Sequence, residues 1–198
     1  MAISLPDPSW LATAKLRYID FAVDQAPAMG GPGQRISRLG SRYGFDITLP
    51  RLDTDSARAW NAARKKARVL GSTLIMSLPK RPPPGALGSP LVNGASQAGA
   101  NLICKSFTAG ATIKADQPFS VVVGGISYLY YTTDQVTADG AGAATLPIAP
   151  ILRASPANNA ALQFAAPQIE GFIPGTTEEW DLDVLQTVGI AFSFQENQ

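Results

Sequence analysis

The chain has 198 residues, 45% hydrophobic and 16% charged, with a formal net charge of +1. That length can bury one sizeable core, or a core plus a small insert, without disulfides or metals. The 18 Gly and 16 Pro follow no collagen-like period, and apolar residues are too frequent for a disordered chain, so a turn-rich, mainly β protein is expected. Histidine is absent. This removes the Ser-His-Asp and Cys-His nucleophile systems, His-ligated metals and the commonest general base.

The single cysteine, Cys104, excludes an intrachain disulfide framework and any CxxC metal site. Its place in the apolar run Asn101-Leu-Ile-Cys104 predicts a buried structural thiol. No apolar stretch approaches the roughly 18 residues that span a bilayer, so membrane insertion is not expected. The opening Met1–Trp10 lacks a basic n-region and an apolar h-region, and a soluble protein made in a cytoplasm is expected. A charge near zero also argues against a general phosphate-binding role and against nucleic-acid sequence recognition.

Charge is unevenly distributed. Residues 1–81 hold 13 Lys/Arg against 6 Asp/Glu, a balance of +7, and residues 82–198 hold 3 against 9, a balance of −6. Two accounts fit: solvated charge on each half, or a dipolar subunit whose basic face meets an acidic face on another copy.

In chain order, Leu16 to Val23 is the first strand candidate. The Pro/Gly-rich segment Gln25–Gln34 follows as a mobile hairpin or arm. Its Gly-Gly-Pro-Gly lacks the spacing and the Lys-Ser/Thr of a phosphate loop. Tyr43, Phe45, Ile47 and Leu49 then alternate with Arg42, Gly44, Asp46 and Thr48, a half-buried strand stopped by Pro50. The spacing predicts a helix over 54–70, with an apolar stripe of Trp60, Ala63, Ala67 and Leu70. Asp53, Thr54 or Asp55 can cap its start, and Gly71 suits a left-handed stop. The basic residues fall away from the Trp60 stripe and are expected on a solvated outer face. Thr73 to Leu78 is the next strand.

Lys80-Arg-Pro-Pro-Pro-Gly85 reads as a stiff connector. Short strands follow at 102–107, 112–115, 119–123, 127–132 and 143–148, with Asp139-Gly-Ala-Gly142 turning the last pair. Another covers 161–165. A final period of two places Val188, Ile190, Phe192 and Phe194 on one face. The simplest division is a β core from residues 1–84 and 156–198, with 85–155 as an inserted small β-subdomain.

Candidate chemistry is sparse. Glu178, Glu179, Asp181 and Asp183 cluster within six residues beside Trp180. Paired acids could cleave a glycosidic bond or bind calcium, but the central Gly and terminal Glu of a calcium loop are missing. An interface or a solvated loop suits them better. Tyr128, Tyr130 and Tyr131 could stack a sugar, although alternation favours ordinary sheet packing. No residue set makes a catalytic or metal centre, and no cofactor is expected.

The order of segments is distinctive. Arg42-Tyr-Gly-Phe-Asp-Ile-Thr-Leu-Pro50 leads into the helix with Ala57-Arg-Ala-Trp60. A proline-rich segment precedes Gly88-Ser-Pro-Leu-Val-Asn-Gly-Ala-Ser-Gln-Ala-Gly99, and Ala109-Gly110 starts the next strand region. Val136-Thr-Ala-Asp-Gly-Ala-Gly-Ala-Ala-Thr-Leu146 and Ile148-Ala-Pro-Ile-Leu-Arg-Ala-Ser-Pro-Ala157 close the series. Over roughly residues 40–175 this order resembles the distal tail and tail-tip adaptor proteins of long-tailed, flexible-tailed bacteriophages. The resemblance implies a tail-tube-like β-sandwich or barrel with one flanking helix. It also implies a homohexameric ring in the virion tail, assembled in the host cytoplasm. Such a ring would join the tail tube protein to the hub and tip proteins and approach the tape-measure protein.

Ring closure needs a head-to-tail interface with two different sides. The basic helix residues Arg58, Arg64, Lys65, Lys66 and Arg68, and the acids Glu178, Glu179 and Asp181, are the candidates for those sides. The alternatives are a tube-terminator ring, a carbohydrate-binding β-module using the tyrosines and Trp180, and a hydrolase using the acidic cluster.

Overall fold

The computed structural model describes residues 2–8, 13–79, 83–177, 179, 181–182 and 187–197. The first part of the chain forms β1 (Ile3–Ser4), β2 (Thr13–Ile19), β3 (Val23–Gln25), β4 (Gln34–Ile36), β5 (Arg42–Thr48) and β6 (Leu52–Asp53). Helix α1 (Thr54–Leu70) and β7 (Leu74–Ser77) follow. The middle supplies β8 (Gly88–Val92), β9 (Asn101–Phe107), β10 (Thr112–Ile113), β11 (Pro118–Val123), β12 (Ile126–Thr132), β13 (Val136–Thr137) and β14 (Ala144–Ala149). The last strands are β15 (Leu162–Gln163), β16 (Gln168–Phe172), β17 (Asp181–Leu182), β18 (Thr187–Gly189) and β19 (Ala191–Glu196). Among the described residues the protein is mainly β, as its composition predicts, with one helix, as the apolar spacing predicts.

Two six-stranded sheets organise these elements. The first has the order β1-β7-β16-β19-β5-β2 and is built from both chain ends. The second has the order β15-β11-β12-β14-β9-β8. Its two ends meet at the Leu91–Ala161 bridge, where Val92 N–H donates to the Ala160 carbonyl at 2.9 Å. The second sheet is thus a nearly closed barrel that draws on residues 88–163. Phe119, Tyr130, Leu102, Cys104 and Leu146 fill it, all with 0% exposure.

The first sheet packs its apolar face on the helix and on one wall of the barrel. Phe45, Ile47, Phe194 and Phe192 form this core with Trp60 and Leu129. Register explains the fit, because Phe194 pairs with Phe45 and Phe192 with Ile47 across neighbouring strands. Gly171 is required where β16 lies against its antiparallel neighbour β19, since a Cβ there would lie 1.9 Å from the Gln195 carbonyl oxygen.

Strand β12 belongs to both cores. Tyr128 and Tyr130 point into the barrel, whereas Leu129 and Tyr131 join the sheet core. That is why Ser-Tyr-Leu-Tyr-Tyr reads as a nearly continuous apolar run. The three tyrosines are therefore packing residues, and the sugar-stacking platform considered from sequence is not formed by Tyr128 and Tyr130.

Helix α1 keeps the expected limits. Asp53 Oδ1 accepts the Ser56 N–H at 2.9 Å, and hydrogen bonding from the Ser56 side chain and backbone holds the Asp53 carboxyl below its ordinary value. Gly71 adopts φ 57° in the left-handed region and closes the other end. The buried stripe, however, is Ala57, Trp60, Arg64 and Ala67. Leu70, expected on that stripe, is 60% exposed. Arg64 replaces it by laying its guanidinium over the Phe192 ring, 5.0 Å from the centroid, a contact that lets a long cation cover an aromatic face.

The first strand candidate ends at Ile19, and the chain resumes extended structure only at Val23. The Gln25–Gln34 segment is the tip of an antiparallel hairpin in which Val23 pairs with Ile36 and Asp24 with Arg35. Of the proline connector, Lys80, Arg81 and Pro82 lie outside the described residues.

Candidate assembly interface

The expected basic face divides in two. Arg58, Lys65, Lys66 and Arg68 are exposed, and Arg64 is buried at 1% exposure. Arg64 is accordingly a core residue and is withdrawn from the surface set. Its i, i+4 offset from Trp60 puts both on the sheet-facing side. Arg58 pairs with Asp55 one turn earlier at 2.9 Å, and Arg68 donates to the Gly175 carbonyl at 2.9 Å.

Among the acids, Glu179 and Asp181 are exposed, and Glu178 lies outside the described residues. Asp181 sits on the three-stranded sheet β17-β18-β6, and β6 runs straight into the helix N-terminus. Asp181 therefore lies on the sheet that leads into the start of α1, the end that carries Asp53 and Asp55. At about 1.5 Å rise per residue, Lys65 and Lys66 sit roughly 18 Å further along the axis. Acid at one end and base at the other is the polarity that a head-to-tail contact uses.

Two clefts accompany these surfaces. One of about 410 Å³ lies at the helix C-terminus between Arg64, Arg68, Phe172 and Ile173. Another of about 320 Å³ follows the barrel seam beside Leu87, Pro90, Leu91 and Phe164. Among the described residues no group of three or more Cys, Asp or Glu side chains is placed to hold a metal ion.

A different polar centre joins the two sheets. Strand β14 pairs with β12 only at Tyr131 and Thr132, leaving the earlier amides of β12 without a strand on that side. Carboxylates take its place. Glu170 Oε2 accepts the Ser127 N–H at 2.9 Å, and Glu196 Oε1 accepts the Leu129 N–H at 2.8 Å. Glu196 Oε2 also accepts the Tyr43 N–H at 2.9 Å, which ties the same side chain to β5.

Arg153 completes this centre. Its Nη2 lies 2.8 Å from Glu196 Oε1, with side-chain exposures of 4% and 1% for the pair. Its guanidinium also stacks 4.9 Å from the Tyr128 ring centroid. Burial pushes the Glu196 carboxyl above its ordinary value, opposed by Arg153 and by the Tyr43 and Leu129 amides. The sequence signal for this centre was slight: Arg153 is one of three cations after residue 81, and Glu170 and Glu196 stand singly in apolar strands.

Exposed apolar surface concentrates elsewhere. Of the twelve large apolar side chains exposed among the described residues, seven lie between Leu16 and Leu39. Leu16 and Tyr18 share the core-facing side of the sheet with their partners Phe45 and Tyr43, yet they stay 41% and 48% exposed. Strand β2 is the sheet rim, with β5 its one strand partner among the described residues. From Val23 to Leu39 every residue is exposed, so the hairpin stands out from the rim.

No protein-family model matches the chain, and no curated protein matches its sequence.

Proposed function

We propose that this protein is a structural subunit of a bacteriophage tail. It forms a ring at the distal end that joins the tail tube to the hub and tip proteins. The segment order over residues 40–175 motivates the family. The observation that best supports the role is the seven-residue rim β2, long and open, beside an apolar hairpin that its own fold leaves exposed. Open rims of that length invite pairing with another chain, and soluble proteins normally shorten or cover them. A ring subunit instead has its rim covered by a neighbour. The opposite charge of the two ends of α1 supports a head-to-tail arrangement, in which charge selects register and apolar contact supplies affinity.

The test is to measure particle mass in solution and to image the purified protein with and without tail tubes. A closed ring that caps one end of the tubes is the expected result. A monomer that binds neither tubes nor intact tails overturns the proposal.

A further inference from the structure

We infer that the free rim of β2 receives strand β3 of a second copy, antiparallel, with the neighbour's Asp24 opposite Lys15. The inference takes the ring reading as its setting and identifies the segment and register of the contact.

Self-pairing of β2 about its central Leu16 is disfavoured by its own charges. Two copies related by a twofold axis at Leu16 would set Lys15 opposite Arg17, and like charges directly opposite destabilise a sheet. A strand with acid at the corresponding position is needed, and β3 supplies it. Its side chains are exposed, and its one strand partner among the described residues is β4, so its other side is open.

One register matches charge with charge and apolar with apolar at three positions. Asp24 opposite Lys15 sets Val23 opposite Leu16 in an antiparallel pair, and Phe21, two residues before β3, falls opposite Tyr18 where the extended run continues. Charges then meet on the outer face, and apolar side chains meet on the core-facing side, where Leu16 and Tyr18 already extend past the cover of the barrel. Lys15, Asp24, Phe21 and Val23 are all exposed. Asp24 lies 3.5 Å from Arg35 and Phe21 lies 5.0 Å beneath the Arg42 guanidinium, so Lys15 would share Asp24 with Arg35 in the proposed pair.

Two single variants, Lys15→Cys and Asp24→Cys, are made in separate chains and mixed under mild oxidation. Native Cys104, at 0% exposure, stays out of reach. The expected product is a disulfide dimer containing one chain of each kind, formed faster than either variant cross-links with itself. Lys15→Asp or Asp24→Lys alone should weaken association a few-fold, and the two together should restore it. A particle of ring mass that gives no mixed cross-link overturns the rim pairing and leaves the ring reading standing. A mixed dimer that never closes into a larger particle supports the pairing and overturns the ring. A chain that stays monomeric at every concentration, with no mixed cross-link, overturns the pairing.

Discussion

Glu196, at the end of the last strand, receives the backbone N–H of Leu129 at 2.8 Å, although 67 residues separate them along the chain. Arg153 closes on the same carboxylate oxygen, so one contact holds the C-terminal strand, the barrel wall and the loop after β14 together.

Glu196→Ala should therefore destabilise strongly. It strands the buried Arg153 charge and leaves the Leu129 and Tyr43 amides without an acceptor, a loss of about 3–5 kcal/mol. Glu196→Gln should cost less, because its amide oxygen still accepts one of those N–H groups. Urea unfolding of the three proteins checks the order, and a loss below about 1 kcal/mol for Glu196→Ala contradicts it.

Trp60 packs its ring 6.1 Å from Phe192 and fixes the helix to the sheet. Trp60→Ala should cost about 3–5 kcal/mol, the usual range for a buried aromatic. An unchanged melting temperature would remove Trp60 from the core.

Alkaline pH should unfold the protein. Burial pushes the Cys104 thiol up to about 12 and raises the Tyr43, Tyr130 and Tyr131 phenols above their ordinary range. The folded chain thus keeps protons that the unfolded chain releases once pH passes roughly 8.5 for Cys and 10 for Tyr. Stability from these groups is complete below that range and falls as pH climbs toward the folded values. Tyrosinate absorbance from Tyr43, Tyr130 and Tyr131 and loss of circular dichroism should rise together in a pH titration. Phenolate formation by Tyr43, Tyr130 and Tyr131 well before unfolding would refute the assignment.

The two kinds of helix arginine should respond oppositely to charge reversal. Arg58→Glu with Lys66→Glu should leave melting nearly unchanged and slow assembly, since exposed pairs contribute only about 0–1 kcal/mol each. Arg64→Glu should prevent stable folding by burying an anion against the Phe192 ring. Normal assembly by the first variant means that the basic face is merely solvated.

Elements with local signals were legible in the sequence. The helix limits follow from Asp53 and Gly71, and the pattern 43, 45, 47 follows from side-chain alternation, all within a few residues of one another. Arg64 was misplaced because residue type argued for solvent, while its position on the Trp60 face decided for the core. The centre formed by Arg153, Glu170 and Glu196 was not legible. Each partner is tens of residues from the next, and only the folded topology shows that the β12 amides lack a strand. The same holds for the β2 rim, because alternation marks a strand but not whether it stands inside a sheet or at its end.

The sharing of β12 between two cores has a consequence for surgery on the gene. A cut at residues 85 and 165 looks clean on paper, yet it would carry off Leu129 and Tyr131, which plug the remaining sheet. It would leave Glu170 and Glu196 facing a void where amides had been. The barrel is a party wall rather than an annexe: neither half can be transplanted or trimmed alone, and both should melt in a single transition.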